Sequence, residues 1–254
     1  MSDVRNLSKV RVRYFKTGKA KYISHLDLQA TMQRAFLRSG FTLKYSEGFN
    51  PHPHISVALP LPVGVESDCE LMDIIIEKSN LNDKASGFGI DNFLPEGLTI
   101  QKAYQPMRKF SAIKWVEILC SAVCGNFGII NAEKIKETLN GRFGRKSLII
   151  EKKSKSGIRS FDISGHIREI SVQISKLGAD ANFAGLDMQN EKDGMDFVLT
   201  VRAKISAQEP TVNCNDIISI INLNEDKDCQ DMPLFENFQF KRIEIYDKDM
   251  VLFT

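Results

Sequence analysis

Val10 to Phe15 reads VRVRYF, apolar and basic residues alternating with the period of two that marks a half-buried strand, and Lys16-Thr17-Gly18 stops it. Between His25 and Arg38 the period changes. Leu28, Met32, Ala35 and Phe36 recur at helical spacing, Ser24 stands where an N-cap belongs and Gly40 where a helix ends, so the segment is predicted as an amphipathic helix. Phe41 to Tyr45 alternates again, Glu47 to Pro53 is a Gly-, Asn- and Pro-rich loop, and Ile55 to Leu61 and Leu71 to Glu77 return to strand character. A weaker helical stretch around Leu81 to Phe93 leads through Pro95-Glu96-Gly97 to a strand at Leu98 to Tyr104.

The second half repeats this order. Ala112 to Val123 reads as a strand, Ala132 to Leu139 as a helix, and Ser147 to Lys152 with Ile158 to Ile163 as a hairpin around Lys155-Ser156-Gly157. Ile170 to Ser175 and Phe197 to Ser206 follow as strands, Asn215 to Ile221 as a helix and Phe238 to Tyr246 as a last strand. Strand-helix-strand-strand-helix-strand is the order of a ferredoxin-like sandwich. The expectation is an α+β protein of two tandem ferredoxin-like domains with antiparallel sheets, residues 1–108 and 109–254, joined near Gln105 to Ser111.

Composition narrows the class. A chain of 254 residues, 43% hydrophobic and 26% charged, can bury a core without disulfides or metals. Its five cysteines are scattered and odd in number, and the first thirteen residues are polar and charged, unlike a secretory signal. Both point to a reducing, cytoplasmic setting. Cys120 and Cys124 are spaced too widely for a CxxC redox motif, and their alternating apolar context predicts buried strand positions. No apolar run reaches the length of a membrane span. The net charge of +2 conceals an asymmetry, since residues 1 to 60 hold ten Lys or Arg against three Asp or Glu. A basic N-terminal face of this kind concentrates phosphates or an acidic partner.

Candidate chemistry gathers between Tyr22 and Gly64, which hold His25, His52 and His54, three of the four histidines. His25 and Asp27 open the first helix, where exposed N–H groups favour anions. His52 and His54, two apart in GFNPHPHIS, project to one side of an extended backbone stiffened by Pro51 and Pro53. Beside Tyr45, Phe49 and Asn50 they suit hydrogen bonding to phosphate or stacking on a base. Their spacing fits no standard metal motif, so neither a metal nor a cofactor is expected. The chain has no P-loop, GxSxG, HExxH or CxxxCxxC, and Gly87-Phe88-Gly89 lacks the following glycine of a dinucleotide fingerprint.

The runs KYISHLDL and RAFLRSGFTLKYSEGFNPHPHISVALPLPVGVES closely resemble the opening of the bacterial radical-SAM-linked protein family, a domain of unknown function. Leu94-Pro95-Glu96-Gly97-Leu98 continues the resemblance. KSKSGIRSFDIS, with Lys155, Gly157, Arg159 and Asp162, looks like the family's second signature, and Arg242 falls where its final strand often carries Arg. His54 departs from the family, many of whose members carry a basic residue such as Lys there. Members are fused behind a radical S-adenosylmethionine (SAM) domain or encoded beside such a protein, often near ribonuclease and ribosomal-protein genes. The resemblance therefore implies an accessory role in RNA or ribosome-related modification.

The leading expectation is a cytoplasmic, non-catalytic or partly catalytic RNA-binding accessory to a separate radical SAM enzyme. Its ligand-facing set comprises His25, Asp27, Arg34, Arg38, Lys44, Tyr45, Asn50, His52 and His54, with Arg159 and Asp162 from the second half. Lys16, Lys19 and Lys21 are expected to attract phosphates alongside them. One alternative is a metal-independent endoribonuclease using His25 and His52, similar in element order alone to the RAMP-type CRISPR RNA endonucleases. Another is a protein-interaction module built on residues 180 to 254, which hold fifteen acids against seven bases.

Overall fold

The computed structural model describes residues 7–77, 89–124, 132–154, 157–176, 197–223 and 233–254. The chain divides into two units. The first comprises Met1–Ile113 with Arg242–Glu244 and Leu252–Thr254, and the second Lys114–Lys241 with Ile245–Val251.

In the first unit, β1 (Leu7–Lys16) is followed by α1 (His25–Arg38), β2 (Ile55–Val57), β3 (Glu66–Glu77) and β4 (Leu98–Tyr104). The sheet runs β4-β1-β3 with β2 also on β3, every pairing antiparallel. Because β3 opposes both β1 and β2, the unit β1-α1-β2 is a parallel crossover with β3 inserted between its strands. The alternation explains the packing: Val10, Val12 and Tyr14 of β1 and Met72, Ile74 and Ile76 of β3 share one buried cluster with Leu28, Met32, Ala35 and Phe36 of α1. Ser24 caps α1 by accepting the Asp27 N–H at 3.2 Å. At its other end Gly40 takes φ +81°, and Phe36 and Phe41 meet edge to face at 5.9 Å.

Three expectations shift here. Phe41 to Tyr45 is not a strand but makes two isolated bridges, Leu43 to Ile76 and Tyr45 to Pro53. Pro51 and Pro53 lack the N–H groups a ladder needs. The predicted strand Ile55 to Leu61 is only three residues long, since Leu59 has φ +45° and Pro60 and Pro62 follow. β3 begins five residues before the predicted Leu71, over a polar stretch that hides its strand character. Of the predicted helix at Leu81 to Phe93, residues 81–88 lie outside the described residues, and Ile90–Phe93 forms a 3-10 turn.

The second unit contains β5 (Ile113–Cys124, from Lys114 on), α2 (Ala132–Phe143), β6 (Ile149–Ser154), β7 (Gly157–Asp162), β8 (Ile167–Lys176), β9 (Phe197–Ser206), α3 (Cys214–Ile221) and β10 (Glu236–Asp247) apart from its Arg242–Glu244, which belong to the first. Its sheet follows the order β10-β5-β9-β8, with β9 antiparallel to both β5 and β8, and β6-β7 form a separate two-stranded ribbon. Cys120 and Cys124 are buried on β5. α3 opens with a reciprocal cap: Asn213 Oδ1 accepts the Asp216 N–H and Asp216 Oδ2 accepts the Asn213 N–H. The protein is thus a mixed α+β chain with largely antiparallel sheets, and among the described residues no helix is long and apolar enough to cross a membrane.

Candidate functional site

The segment from Lys44 to His54 folds back on itself and is pinned to β3. The Lys44 N–H donates to Ile75 O at 2.9 Å, the His54 N–H to Lys44 O at 2.9 Å and the Ile75 N–H to His54 O at 3.2 Å. Its tip is closed by Ser46, whose Oγ accepts the His52 N–H and lies 3.0 Å from His52 Nδ1, while Gly48 supplies φ +119°. This turn leaves Phe49 fully exposed and Asn50, His52 and His54 on the surface. Tyr45 is also exposed, and its hydroxyl accepts Gln33 Nε2 at 3.3 Å, tying the hairpin to α1. Arg34, beside Gln33, and Arg38 one turn further are both exposed. The sequence-predicted residues Arg34, Arg38, Lys44, Tyr45, Asn50, His52 and His54 thus belong to one helix-and-hairpin arrangement.

Two others do different work. Asp27 Oδ2 accepts the Ser24 hydroxyl at 2.7 Å, so its carboxylate completes the helix cap. His25, half-buried in the first turn, has a buried Nδ1 that none of the described groups bonds. Among the described residues no three His, Cys, Asp or Glu side chains come together as a metal-holding group.

The basic surplus is partly spent on internal ion pairs. Arg11 is buried, donates to Asp73 at 2.7 and 3.1 Å and stacks on Phe110 at 4.3 Å, while Lys9 reaches the same carboxylate at 2.8 Å. Arg13 grips Glu244 with two bonds of 2.8 and 2.9 Å. Lys16 is buried and donates to Ile23 O at 2.9 Å, and burial lowers its pKa. Lys21 is also buried, 3.6 Å from Glu66. Lys16 and Lys21, expected to attract phosphates, are therefore framework residues. Lys19 is exposed.

Sequence reasoning missed the ion pair beneath the motif. Glu70 on β3 is buried and accepts a hydrogen bond from Arg242 Nη1 at 2.7 Å, and the same nitrogen donates to Leu59 O at 3.0 Å. Glu70 sits opposite Tyr14 in the β1-β3 register, and the Tyr14 hydroxyl is pushed well up, first by burial and then by the Glu70 charge. Arg242 thus anchors the ALPLP loop while Lys16 anchors the approach to α1, both from the interior. The available signal was parity: Tyr14 and Lys16 continue the inward-facing series of Val10 and Val12, as Glu70 does that of Met72, Ile74 and Ile76.

In the second unit Arg159 is exposed on β7, opposite Lys152. Asp162 ends the same strand, where its Oδ1 accepts the N–H groups of Leu148 and Ser164, each at 3.0 Å. These bonds hold its carboxyl well below the usual carboxylate range and make it a turn clamp.

These features define a two-unit α+β protein whose first unit displays an aromatic, histidine-bearing hairpin above buried ion pairs. A family model described as "Uncharacterized protein conserved in bacteria (DUF2344)" matches residues 9–206, and the chain belongs to that family. The comparison with curated proteins gives no match.

Proposed function

We propose that this chain is an RNA-binding accessory protein of the bacterial cytoplasm that works with a separate radical SAM enzyme in RNA or ribosome-related modification. The observation that carries the RNA half is the hairpin, which offers the exposed rings of Tyr45, Phe49, His52 and His54 next to the cationic surface of α1. Exposed rings beside cations are how proteins take hold of unpaired bases, the rings stacking on bases and the cations meeting phosphates. Lys19, Arg34, Arg38 and Lys44 are the candidates for the phosphate contacts.

The partner half rests on the sequence resemblance and on an apolar surface. Tyr22, Leu26 and Val63 are largely exposed, and the Gly64 N–H bond to Lys21 O, at 2.9 Å, brings the Val63 turn beside Tyr22. Large apolar groups gathered in this way mark protein contacts. The same strand order in each unit, last-first-third-second once the β6-β7 ribbon is set aside, supports reading both as ferredoxin-like domains.

Filter retention of cellular RNA across a salt series tests the proposal. Retention that weakens steeply with salt is expected, and its absence at every salt overturns the RNA half. Phe49→Ala is expected to weaken binding to single-stranded RNA by roughly 5- to 150-fold, the equivalent of about 1–3 kcal/mol for one stacked base, without changing stability. Capture of the radical SAM protein by the wild-type chain but not by Leu26→Asp is expected in RNase-treated extract. Equal capture by both removes the apolar surface from the proposal.

A further inference from the structure

At the hairpin tip Ser46 holds His52 at three points. The Ser46 N–H donates to His52 O at 2.8 Å, Ser46 Oγ accepts the His52 N–H at 3.0 Å, and the same Oγ lies 3.0 Å from His52 Nδ1. Asn50 O lies 3.4 Å from that ring nitrogen. Pro51 and Pro53 flank the residue and stiffen the backbone that carries it. An exposed imidazole is thus fixed in direction.

These contacts also decide where the ring carries its proton. A carbonyl oxygen only accepts, and Ser46 Oγ keeps a lone pair after taking the His52 N–H, so a proton on Nδ1 serves both neighbours at once. A bare Nδ1 would instead set its lone pair against those of Asn50 O. Neutral His52 therefore carries its proton on Nδ1, and Nε2, on the far side of an exposed ring, carries a lone pair. The atom offered to a ligand is an acceptor.

Such an atom cannot bond a phosphate oxygen or a base carbonyl, since both have only lone pairs to give. It needs a donor. Amino and imino groups differ from base to base, whereas the ribose 2′-hydroxyl is a donor on every nucleotide of RNA and is absent from DNA. Stacking on the exposed rings of Tyr45 and Phe49 tolerates any base, so the donor that can meet Nε2 whatever the sequence is the 2′-hydroxyl. We infer that His52 accepts the ribose 2′-hydroxyl at Nε2, and that Ser46, as a positioning residue, thereby gives the hairpin a preference for single-stranded RNA over single-stranded DNA. The inference rests on the RNA-binding reading and adds to it the sugar that is read.

The test uses the full chain at about pH 8, where imidazole is ordinarily neutral, with fluorescence anisotropy on oligouridine and on oligodeoxyuridine of the same length. Wild type is expected to bind the RNA strand roughly 2- to 12-fold more tightly, the effect of one net hydrogen bond. His52→Phe keeps a ring for stacking and is expected to bind the two strands equally, whereas Phe49→Ala weakens both and keeps their ratio. Ser46→Ala lowers the ratio and Ser46→Thr restores it, an effect that a purely structural role would not confine to RNA. Long-range proton–nitrogen correlation of the wild-type imidazole is expected to show the proton on Nδ1, and needs no variant to fold. A proton on Nε2, or a preference unchanged in His52→Phe, overturns the inference. Equal binding of both strands by wild type overturns it as well, while leaving the RNA-binding reading in place. Oligocytidine held more tightly than oligouridine by wild type, but equally by His52→Phe, moves the contact to a base amino group and also overturns it. Wild-type protein that binds neither strand overturns the underlying reading.

Discussion

Gly97 and Gly64 have nearly the same φ, +88° and +89°, in entirely different surroundings. A Cβ on Gly97 would lie 2.2 Å from Thr17 O and 3.0 Å from the Ala20 Cβ, whereas one on Gly64 would meet nothing within 4 Å. Alanine at either position carries the left-handed penalty of about 1–2 kcal/mol, offset in both by about 0.4–1 kcal/mol from a less flexible unfolded chain. These terms cancel in the difference. Gly97→Ala must in addition separate two backbones by about an ångström, which breaks the 2.8 Å bond from the Thr17 N–H to Gly97 O and disturbs the packing of buried Ala20. A lost hydrogen bond of about 1 kcal/mol and a comparable packing loss place Gly97→Ala about 2 kcal/mol below Gly64→Ala. Urea-dependent hydrogen exchange, followed by mass spectrometry on β1 peptides, reports the first unit directly. Equal destabilisation of the two variants, within about 0.5 kcal/mol, would refute the contact argument and leave backbone conformation as the sole reason for glycine in LPEGL.

Arg242→Met strands a buried carboxylate at Glu70 and is expected to cost about 3–5 kcal/mol in urea unfolding, with much of the loss recovered in Arg242→Met/Glu70→Met; no recovery would count against a charge-based origin. Burial pushes the Cys69 thiol up to about 12. Since the unfolded thiol ionises near its ordinary value of 9, this group's contribution is complete below that pH and is lost as pH rises from 9 towards 12. Iodoacetamide at pH 8.5–9 (~9) should therefore leave Cys69 unmodified in native protein and label it in urea, and rapid native labelling would contradict its burial. Asp162→Asn should speed exchange at the Leu148 and Ser164 amides while β9 stays protected. In wild type the same loosening should appear only as pH falls below the ordinary aspartate range, because the folded carboxyl titrates lower; exchange at Leu148 unchanged in the variant would remove the clamp.

Local patterns marked the helices and the ends of several strands. α1 has a cap, a period and a stop within one short window, and β4 and β9 occupy the residues their alternation predicts. The start of β3 was hidden because Ser67 and Glu70 are polar yet buried, Ser67 accepting the Cys69 N–H two residues on and Glu70 finding Arg242 at a separation of 172. The charge balance misled for the same reason: Arg11 finds Asp73 at a separation of 62 residues, and Arg13 finds Glu244 at 231. Counting cations along the chain measures what must be neutralised or displayed, not which of the two occurs. The hairpin was legible as a loop rich in rings and prolines, whereas its tie to α1 through Tyr45 and Gln33 was not.

The Glu70–Arg242 pair joins residues 172 positions apart in a single unit. On a ribosome adding about 5–20 residues each second, β3 is made roughly ten to thirty seconds before the guanidinium that neutralises its carboxylate. Throughout that interval the nascent first unit must keep Glu70 hydrated, so the loop that Arg242 anchors at Leu59 closes late. The same logic bears on expressing residues 1–113 by themselves: such a fragment retains the buried acid and lacks its counterion, and adding a peptide that carries the β10 sequence should restore its protection.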